Sequence, residues 1–361
     1  MTRSMDDLLR ETIRDLAAES GTATDLTGRA LARGRRLRRR RRVATVAAVL
    51  LLVGTATIPY AVLHRAEHRT RPLPAATITV PVPTTVPAPR FSMTEPFRVP
   101  GGLVITGMGR YRGAREMMQN YVLDRTTGRY RALPTKFIDN DPSPDGRYVI
   151  GSYFARNELA LRDMRTGNTH WVPFDASPNP QWLPSGDRLV IYRNTGFTVV
   201  DPATGRRTDH DIPDDQQLCV DYCQYTWLGD GTELALPQGY GLNEDPFRVT
   251  GLAIFDVRTG KLLRTMPIPG APLGENSWSA DGRAVLIRPS VPGTDQVLIA
   301  STTDGRPSGS FHANTAFFLP DGTVFGRLGA VVTHYDATGH PMESMTLPSP
   351  LDRKELSFGP P

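Results

Sequence analysis

Short apolar runs separated by turn residues make up most of the chain after residue 90. Runs such as 147–154 and 188–193 are rich in Val, Ile, Tyr and Phe, and Gly, Pro and Asp bound them. β-Branched and aromatic runs between turn formers are typical of strands that pair in hairpins. The pattern therefore predicts a region built from many short strands.

Two kinds of turn alternate along this region, each with a glycine at a fixed place. A turn that ends in Thr-Gly or Asp-Gly occurs six times, and a turn of Pro, Asp or Ser with Gly precedes each copy. The pairs are 100–102 with 124–128, 143–146 with 163–167, 184–186 with 201–205, 229–231 with 256–260, 280–282 with 301–305, and 320–322 with 336–339. A repeat of about 45 residues with about four strands is typical of a propeller blade. The predicted fold class is therefore all-β, a six-bladed β-propeller over residues 97–347.

Two blocks of the repeat, 143–150 and 252–260, resemble the repeats of TolB-like and WD-repeat-like β-propellers. The Gly-His and Trp-Asp pairs of eukaryotic WD repeats do not occur in these blades. The resemblance implies that both kinds of turn lie on one face, the turn face. The connections between blades, and those between second and third strands, then form the opposite face, which we name the loop face. Closure of the ring by residues 356–358 or by the strand around 91–99 stays open.

The longest connections are expected on the loop face, and long loops on a rigid scaffold often carry binding sites. The alternative is that these loops are solvated connectors without a ligand. The candidate ligand-binding residues are Arg110, Tyr111, Arg112, Tyr222, Tyr225, Tyr240 and Phe247.

A run of 21 residues without a charge, 43–63, follows the arginines Arg38 to Arg42. Its length matches the thickness of a bilayer core, which predicts one transmembrane helix. Because the arginines precede it, the positive-inside rule places residues 1–42 in the cytoplasm and the propeller outside. The prediction is a single-pass protein of the cell membrane. A cleaved signal peptide is the rival interpretation, but residues 1–42 are long for its charged segment.

The segments around the transmembrane helix and the propeller have distinct compositions. Residues 5–17 have the spacing of a short amphipathic helix within the basic cytoplasmic tail, a possible site for a cytoplasmic regulator. Residues 64–96 are rich in Pro and Thr, which predicts an extended linker. Residues 348–361 are predicted to be a C-terminal tail. This layout resembles membrane-anchored actinobacterial proteins whose cytoplasmic tails are candidate anti-sigma elements.

Charge and cysteine content narrow the choice of partners. The net charge is +5, and residues 1–42 carry 12 Arg against 6 Asp and Glu, so the rest of the chain has no basic excess. This argues against nucleic acid as a partner.

Cys219 and Cys223 predict a disulfide in an oxidising compartment. A zinc site is the alternative, but it would need further ligands near the pair.

Catalytic motifs are missing from the sequence. There is no Gly-x-Ser-x-Gly turn and no Gly-rich phosphate loop. Asp139, Asn140, Asp141 and Asn276 could be oxygen ligands of a channel metal, but we favour ordinary turn chemistry for them. Trp182, Trp227 and Trp278 occupy equivalent blade positions, which predicts packing between blades. The sequence thus predicts no enzyme, no metal and no cofactor.

Three functions remain open at this point. The sequence favours a membrane-anchored, extracytoplasmic propeller that binds a protein, a glycan or another envelope ligand without catalysis. The alternative is a transmembrane signal transducer that acts through the cytoplasmic tail. A metal-dependent propeller hydrolase or lactonase has the least support, because no set of acid, base and metal ligands stands out.

Overall fold

The computed structural model describes residues 82–110, 119–134, 138–153, 156–174, 180–218, 224–240, 248–289, 294–349, 351–352 and 354–361. All of them belong to one compact unit, Ile78–Pro361. In these ranges no helix is both long and apolar enough to cross a membrane. The predicted cytoplasmic helix, the transmembrane helix at 43–63 and the linker up to residue 81 lie outside the described residues and stay predictions.

Six antiparallel sheets follow one another along the chain, and each is one blade. Blade 1 holds β2 (Arg98–Val99), β3 (Leu103–Arg110), β4 (Tyr121–Asp124) and β5 (Arg129–Ala132); blade 2 holds β6 (Ile138–Pro142), β7 (Tyr148–Tyr153), β8 (Glu158–Asp163) and β9 (Thr169–Pro173); blade 3 holds β10 (Gln181–Trp182), β11 (Leu189–Arg193), β12 (Gly196–Val200) and β13 (Arg207–Asp211). Blade 4 holds β14 (Thr226–Leu228), β15 (Glu233–Tyr240), β16 (Arg248–Asp256) and β17 (Leu262–Met266); blade 5 holds β18 (Gly270–Pro272), β19 (Ala284–Pro289), β20 (Gln296–Ser301) and β21 (Pro307–His312); blade 6 holds β22 (Thr315–Phe318), β23 (Val324–Leu328), β24 (Val331–Tyr335) and β25 (Pro341–Thr346). Two further strands, β1 (Thr84–Thr85) and β26 (Lys354–Gly359), join the last and the first blade. The six-bladed, all-β prediction is confirmed.

The two repeated turns are closed by backbone hydrogen bonds at their glycines. In the second turn the glycine N–H donates to the carbonyl three or four residues earlier over 2.8–3.0 Å, and its φ lies between 67° and 85°. In the first turn of blades 2 to 6 the glycine N–H donates to the carbonyl three residues earlier over 2.7–3.0 Å. Glycine accepts a positive φ without steric cost, which explains why it recurs at these positions.

The hydrophobic core is divided into wedges between neighbouring blades. The described residues form six buried clusters, one at each blade interface. Strand β7 shows how the sequence produces this arrangement. Tyr148 and Ile150 pack towards blade 3, while Val149, on the other side of the strand, packs towards blade 1. Alternate residues of a strand face opposite sides, so a blade with two apolar faces joins two wedges.

Three tryptophans join the inner strands of successive blades through hydrogen bonds of their indole N–H groups. The indole N–H of Trp227 donates to the carbonyl of Gln181 over 2.9 Å. The indole of Trp278 donates to the Thr226 hydroxyl over 3.0 Å, and that of Trp182 points to the carbonyl of Asp141 at 3.4 Å. All three side chains are at most 5% exposed. The prediction that they pack between blades is confirmed.

The C-terminal strand closes the ring. Gly107 of β3 pairs with Val122 of β4 and with Ser357 of β26, so β4 and β26 flank β3 on opposite sides. β26 therefore takes the inner position of blade 1, and Phe358 packs on Phe325 of blade 6 with ring centroids 4.7 Å apart. The segment predicted as a C-terminal tail is thus part of the propeller. Its partner strand lies far upstream in sequence, which hid this role.

A second closure runs along the outside, in residues that we predicted to be linker. β1 pairs in parallel with β25 of blade 6, and the N–H of Val86 donates to Ser344 over 2.7 Å. Further on, the carbonyl of Met93 accepts from Tyr130 of blade 1. We name residues 84–93 the strap. It spans the junction of the last and first blades, so the prediction of a linker that extends to residue 96 is wrong for residues 84–93.

Candidate functional site in the central channel

A three-residue bulge interrupts the inner strand of blade 5. The N–H of Leu273 donates to the carbonyl of Leu286, and the N–H of Leu286 donates to the carbonyl of Ser277. The residues between them, Gly274 to Asn276, are left outside the ladder. Gly274 has a φ of 118°, and Asn276 has a φ of 52°, which is uncommon for a residue with a side chain. An uncommon backbone conformation such as that of Asn276 is often found at functional sites.

The bulge carries Glu275 into the centre of the ring. Its Oε1 accepts the backbone N–H of Trp182 in blade 3 over 2.7 Å. Its carboxyl group also hydrogen-bonds to the carboxyl group of Asp141 in blade 2. Since blades 2 and 5 face each other across a ring of six, Glu275 spans the channel. The neighbouring carbonyl of Asn276 accepts from Phe318 in blade 6 over 2.8 Å.

The contact between two acids requires a proton. Burial raises the pKa of Asp141 to about 6, although hydrogen bonds from Ser357 and Glu275 act in the opposite direction. Burial, together with the charge of Asp141, raises the pKa of Glu275 well above its usual range. The bond between them favours ionised Asp141 and neutral Glu275, so Glu275 is the donor and Asp141 the acceptor. Both side chains remain partly accessible, as expected beside a channel.

One buried acceptor next to this pair has no partner among the described residues. Gln181 is 9% exposed; its Nε2 donates to Pro180 over 2.7 Å, and its Oε1 is unpaired. A Cβ on Gly274 would lie 3.2 Å from this Oε1 and 3.2 Å from Nε2 of Gln224. We name the set Asp141, Gln181, Trp182, Glu275 and Ser357 the channel hub. It can hold a proton and accept hydrogen bonds, but it contains no strong nucleophile.

The structure revises the interpretation of the channel residues. Asp141 is part of the inner strand β6 and faces the hub, so the prediction that it serves turn chemistry is wrong. Asn276 does adopt the left-handed backbone for which Asn is suited. Glu275 was not singled out as a functional residue. The available signal was the extra Gly-Glu-Asn between Leu273 and the blade tryptophan. In the described ranges, no group of three His, Cys, Asp or Glu side chains is arranged to hold a metal.

The structure places the predicted ligand-binding residues in different environments. Tyr225 is 1% exposed and packs against Phe197 and Phe255 with ring centroids 5.1 and 6.2 Å apart. It belongs to the wedge between blades 3 and 4, so its assignment to an exposed binding surface is wrong. The sequence around Tyr225 gave no sign of this burial. Arg110 is the last residue of β3 and Tyr240 is the last residue of β15, and both strands end at the loop face. Tyr111, Arg112, Tyr222, Phe247 and the cysteines Cys219 and Cys223 lie outside the described residues.

One part of the loop face is described in detail, at the end of the connection that leaves blade 3. Gln217 donates through Nε2 to the hydroxyl of Tyr192 over 3.1 Å. The N–H of Leu218 donates to Oε1 of Gln238, and the carbonyl of Leu218 accepts from Gly239 over 3.0 Å. Leu218 itself is 37% exposed. These bonds hold an accessible apolar side chain on a rigid base.

Comparison with known proteins finds a likeness of structure only. No family model and no curated protein matches the chain. The chain is similar to the solved structure of TolB from Acinetobacter baumannii, with 18% identity, a TM-score of 0.49, and coverage of 72% of this chain and 67% of that one. It is also similar to the hydrazine synthase of Kuenenia stuttgartiensis, with 17% identity, a TM-score of 0.38 and coverage of 54% of each chain. Such likenesses concern the fold alone. The strand pairing defines the six blades, and the domain is a six-bladed β-propeller.

Proposed function

We propose that the propeller is a non-catalytic binding module that recognises an envelope protein or glycan through its loop face. One transmembrane helix at 43–63 would hold it at the cell membrane, outside the cytoplasm. The long uncharged run after the arginines supports this placement. The cytoplasmic side would carry only residues 1–42.

The observation that carries the proposal is the contrast between the two faces. The turn face consists of short turns whose backbone groups bond within the turn. The loop face holds connections of very different length, from 329–330 between β23 and β24 to 212–225 between β13 and β14. Connections that vary on a rigid scaffold are typical of binding surfaces, whereas uniform turns are typical of structural repeats.

The described chemistry also supports binding over catalysis. The channel hub offers a shared proton, a hydroxyl group and hydrogen-bond acceptors, but it contains no histidine to activate the Ser357 hydroxyl, as a Ser-His-Asp triad of acyl transfer requires. A rigid ring with polar groups in its channel and an apolar residue such as Leu218 on its rim suits recognition of a partner surface.

Cross-linking and affinity purification of the full chain from its own membranes tests the proposal. The matched variant lacks residues 1–34, so it keeps the transmembrane segment and the propeller. We expect the same envelope component with both proteins. Recovery of a cytoplasmic partner alone, lost with the shortened chain, would contradict the proposal.

That second outcome would favour a signal transducer. The observation that supports this alternative is the amphipathic spacing of residues 5–17 within a basic tail. A helix of this length does not fold alone and needs a membrane surface or a partner. The strap adds a physical route, because the linker joins the propeller at the junction of its last and first blades.

A further inference from the structure

The channel hub connects blade 5 to blades 2 and 3, with which blade 5 shares no wedge. Glu275 of blade 5 bonds to the backbone of Trp182 in blade 3 and to Asp141 in blade 2. The Ser357 hydroxyl of blade 1 points to Oδ1 of Asp141 at 3.4 Å. Through Asn276 the same bulge reaches Phe318 of blade 6. The bulge thus links blade 5 to blades 2, 3 and 6, and Ser357 adds blade 1 through Asp141.

The two carboxyl groups face no positive charge among the described residues. The groups that act on Asp141 are the Ser357 hydroxyl of β26 and the carboxyl of Glu275. Those that act on Glu275 are the carboxyl of Asp141 on β6 and the N–H of Trp182 on β10. No arginine, lysine or histidine in the described ranges is among them. A proton is therefore what keeps the two acids together.

We propose that Asp141 and Glu275 form a proton-operated latch across the channel. With one proton between them, the two carboxyl groups bond and hold the bulge of blade 5 against blades 2 and 3. When that proton leaves, two like charges meet in a confined space and repel each other. The bulge, whose Asn276 has an uncommon left-handed backbone, is then released from the facing blades. This device goes beyond the proposed binding role, because it lies in the channel rather than on the loop face.

The direction of the pH effect follows from the two pKa values. Both acids have a raised pKa in the folded protein, so the folded state keeps protons that the unfolded state has released. Their contribution to stability is fully present below the unfolded pKa values. It falls as the pH rises through about 6, where Asp141 ionises, and falls further through the pKa of Glu275. The latch itself opens at this second step.

Infrared spectroscopy of the full chain in mild detergent tests the latch directly. Above the pH range in which ordinary acids ionise, the carbonyl stretch of a protonated carboxyl group should remain visible, because burial and the charge of Asp141 hold the pKa of Glu275 well above its usual range. Glu275→Gln should remove this band. Gln has the same shape, accepts the bond from Trp182 and donates to Asp141, so the fold should survive. Asp141→Asn removes the partner charge and provides a second variant. Asp215→Asn, at an exposed turn position, is the matched control and should leave the band unchanged.

Thermal unfolding provides the second measurement, with tryptophan fluorescence as the signal, to which the buried Trp182, Trp227 and Trp278 contribute. The melting temperature of the wild-type chain should fall from mildly acidic to mildly alkaline pH. Glu275→Gln should flatten the part of this fall that lies above the Asp141 step, while Asp215→Asn should follow the wild type. A wild-type chain without a protonated carboxyl group above the range in which ordinary acids ionise would overturn the latch. So would a band or a pH profile that Glu275→Gln leaves unchanged.

Discussion

At the scale of single residues, turn glycines decide how closely one blade approaches the next. A Cβ on Gly260 in blade 4 would lie 2.9 Å from the imidazole of His210 in blade 3. In the same way, a Cβ on Gly205 would lie 2.8 Å from His170 of blade 2. The outer strand of one blade thus contacts the turn of the next. Glycine here serves both the turn and the close approach.

Substitution at two glycines with nearly the same backbone separates these roles. Gly260 and Gly282 have φ values of 69° and 68°, but only Gly260 has a neighbour in the space of a side chain. Gly282→Ala should lower the free energy of unfolding by about 1 kcal/mol, the cost of the left-handed backbone. Gly260→Ala should lower it by about 3 kcal/mol, since His210 must also move. Denaturant unfolding measures both, and equal losses would contradict the account.

At the scale of elements, the sequence predicts the repeated turns but not the contacts that the inner strands make in the channel. The six turn pairs could be predicted because Asp, Thr and Gly determine turn geometry within a few residues. The channel hub could not be predicted, because Asp141, Gln181 and Glu275 come from three blades and meet only when the ring closes. The bulge at Gly274 has no local motif. Turn chemistry was therefore the natural reading of Asp141, and only the folded ring shows otherwise.

The indole bonds between inner strands predict a specific loss of stability. Trp227→Phe keeps the aromatic ring but removes the N–H, which leaves the buried carbonyl of Gln181 without its 2.9 Å donor. We expect the free energy of unfolding to fall by about 2 kcal/mol. Trp171→Phe is the matched control, because Trp171 lies on an outer strand and is 38% exposed. Its loss should stay within about 0.5 kcal/mol in the same denaturant experiment. A larger effect at Trp171 than at Trp227 would argue against the indole bonds.

At the scale of the whole molecule, the ring is closed twice. β26 completes blade 1 from the C-terminus, and the strap covers the edge of blade 6 from the N-terminus. The sequence left the closing strand open between residues 356–358 and 91–99, because both segments have strand-like patterns. Long-range pairing decides between them, and a local pattern carries no information on it. In the structure both segments pair with β3 of blade 1, and β26 takes the inner position.

Removal of the closing strand should prevent a stable ring. A chain that ends after Asp352 exposes the edge of β3 from Val104 to Arg110, so we expect aggregation and no cooperative unfolding. A chain that ends after Gly359 is the control. It loses the bond from Arg125 to Pro361 but keeps β26, and its stability should fall by only about 1 kcal/mol. Size-exclusion chromatography and near-ultraviolet circular dichroism distinguish the two. Cooperative unfolding of the shorter chain would contradict closure by β26.

The most direct test of the account asks whether the loop face of the ring contacts a partner in the cell envelope, as we propose. A photoreactive amino acid is placed at Leu218 on the loop face or, in a matched protein, at Arg283 on the turn face, where the side chain is 89% exposed. After irradiation of intact cells, we expect the Leu218 protein to form a discrete cross-linked product and the Arg283 protein to form none. Cross-linking from Arg283 alone, or equally from both positions, would contradict binding through the loop face.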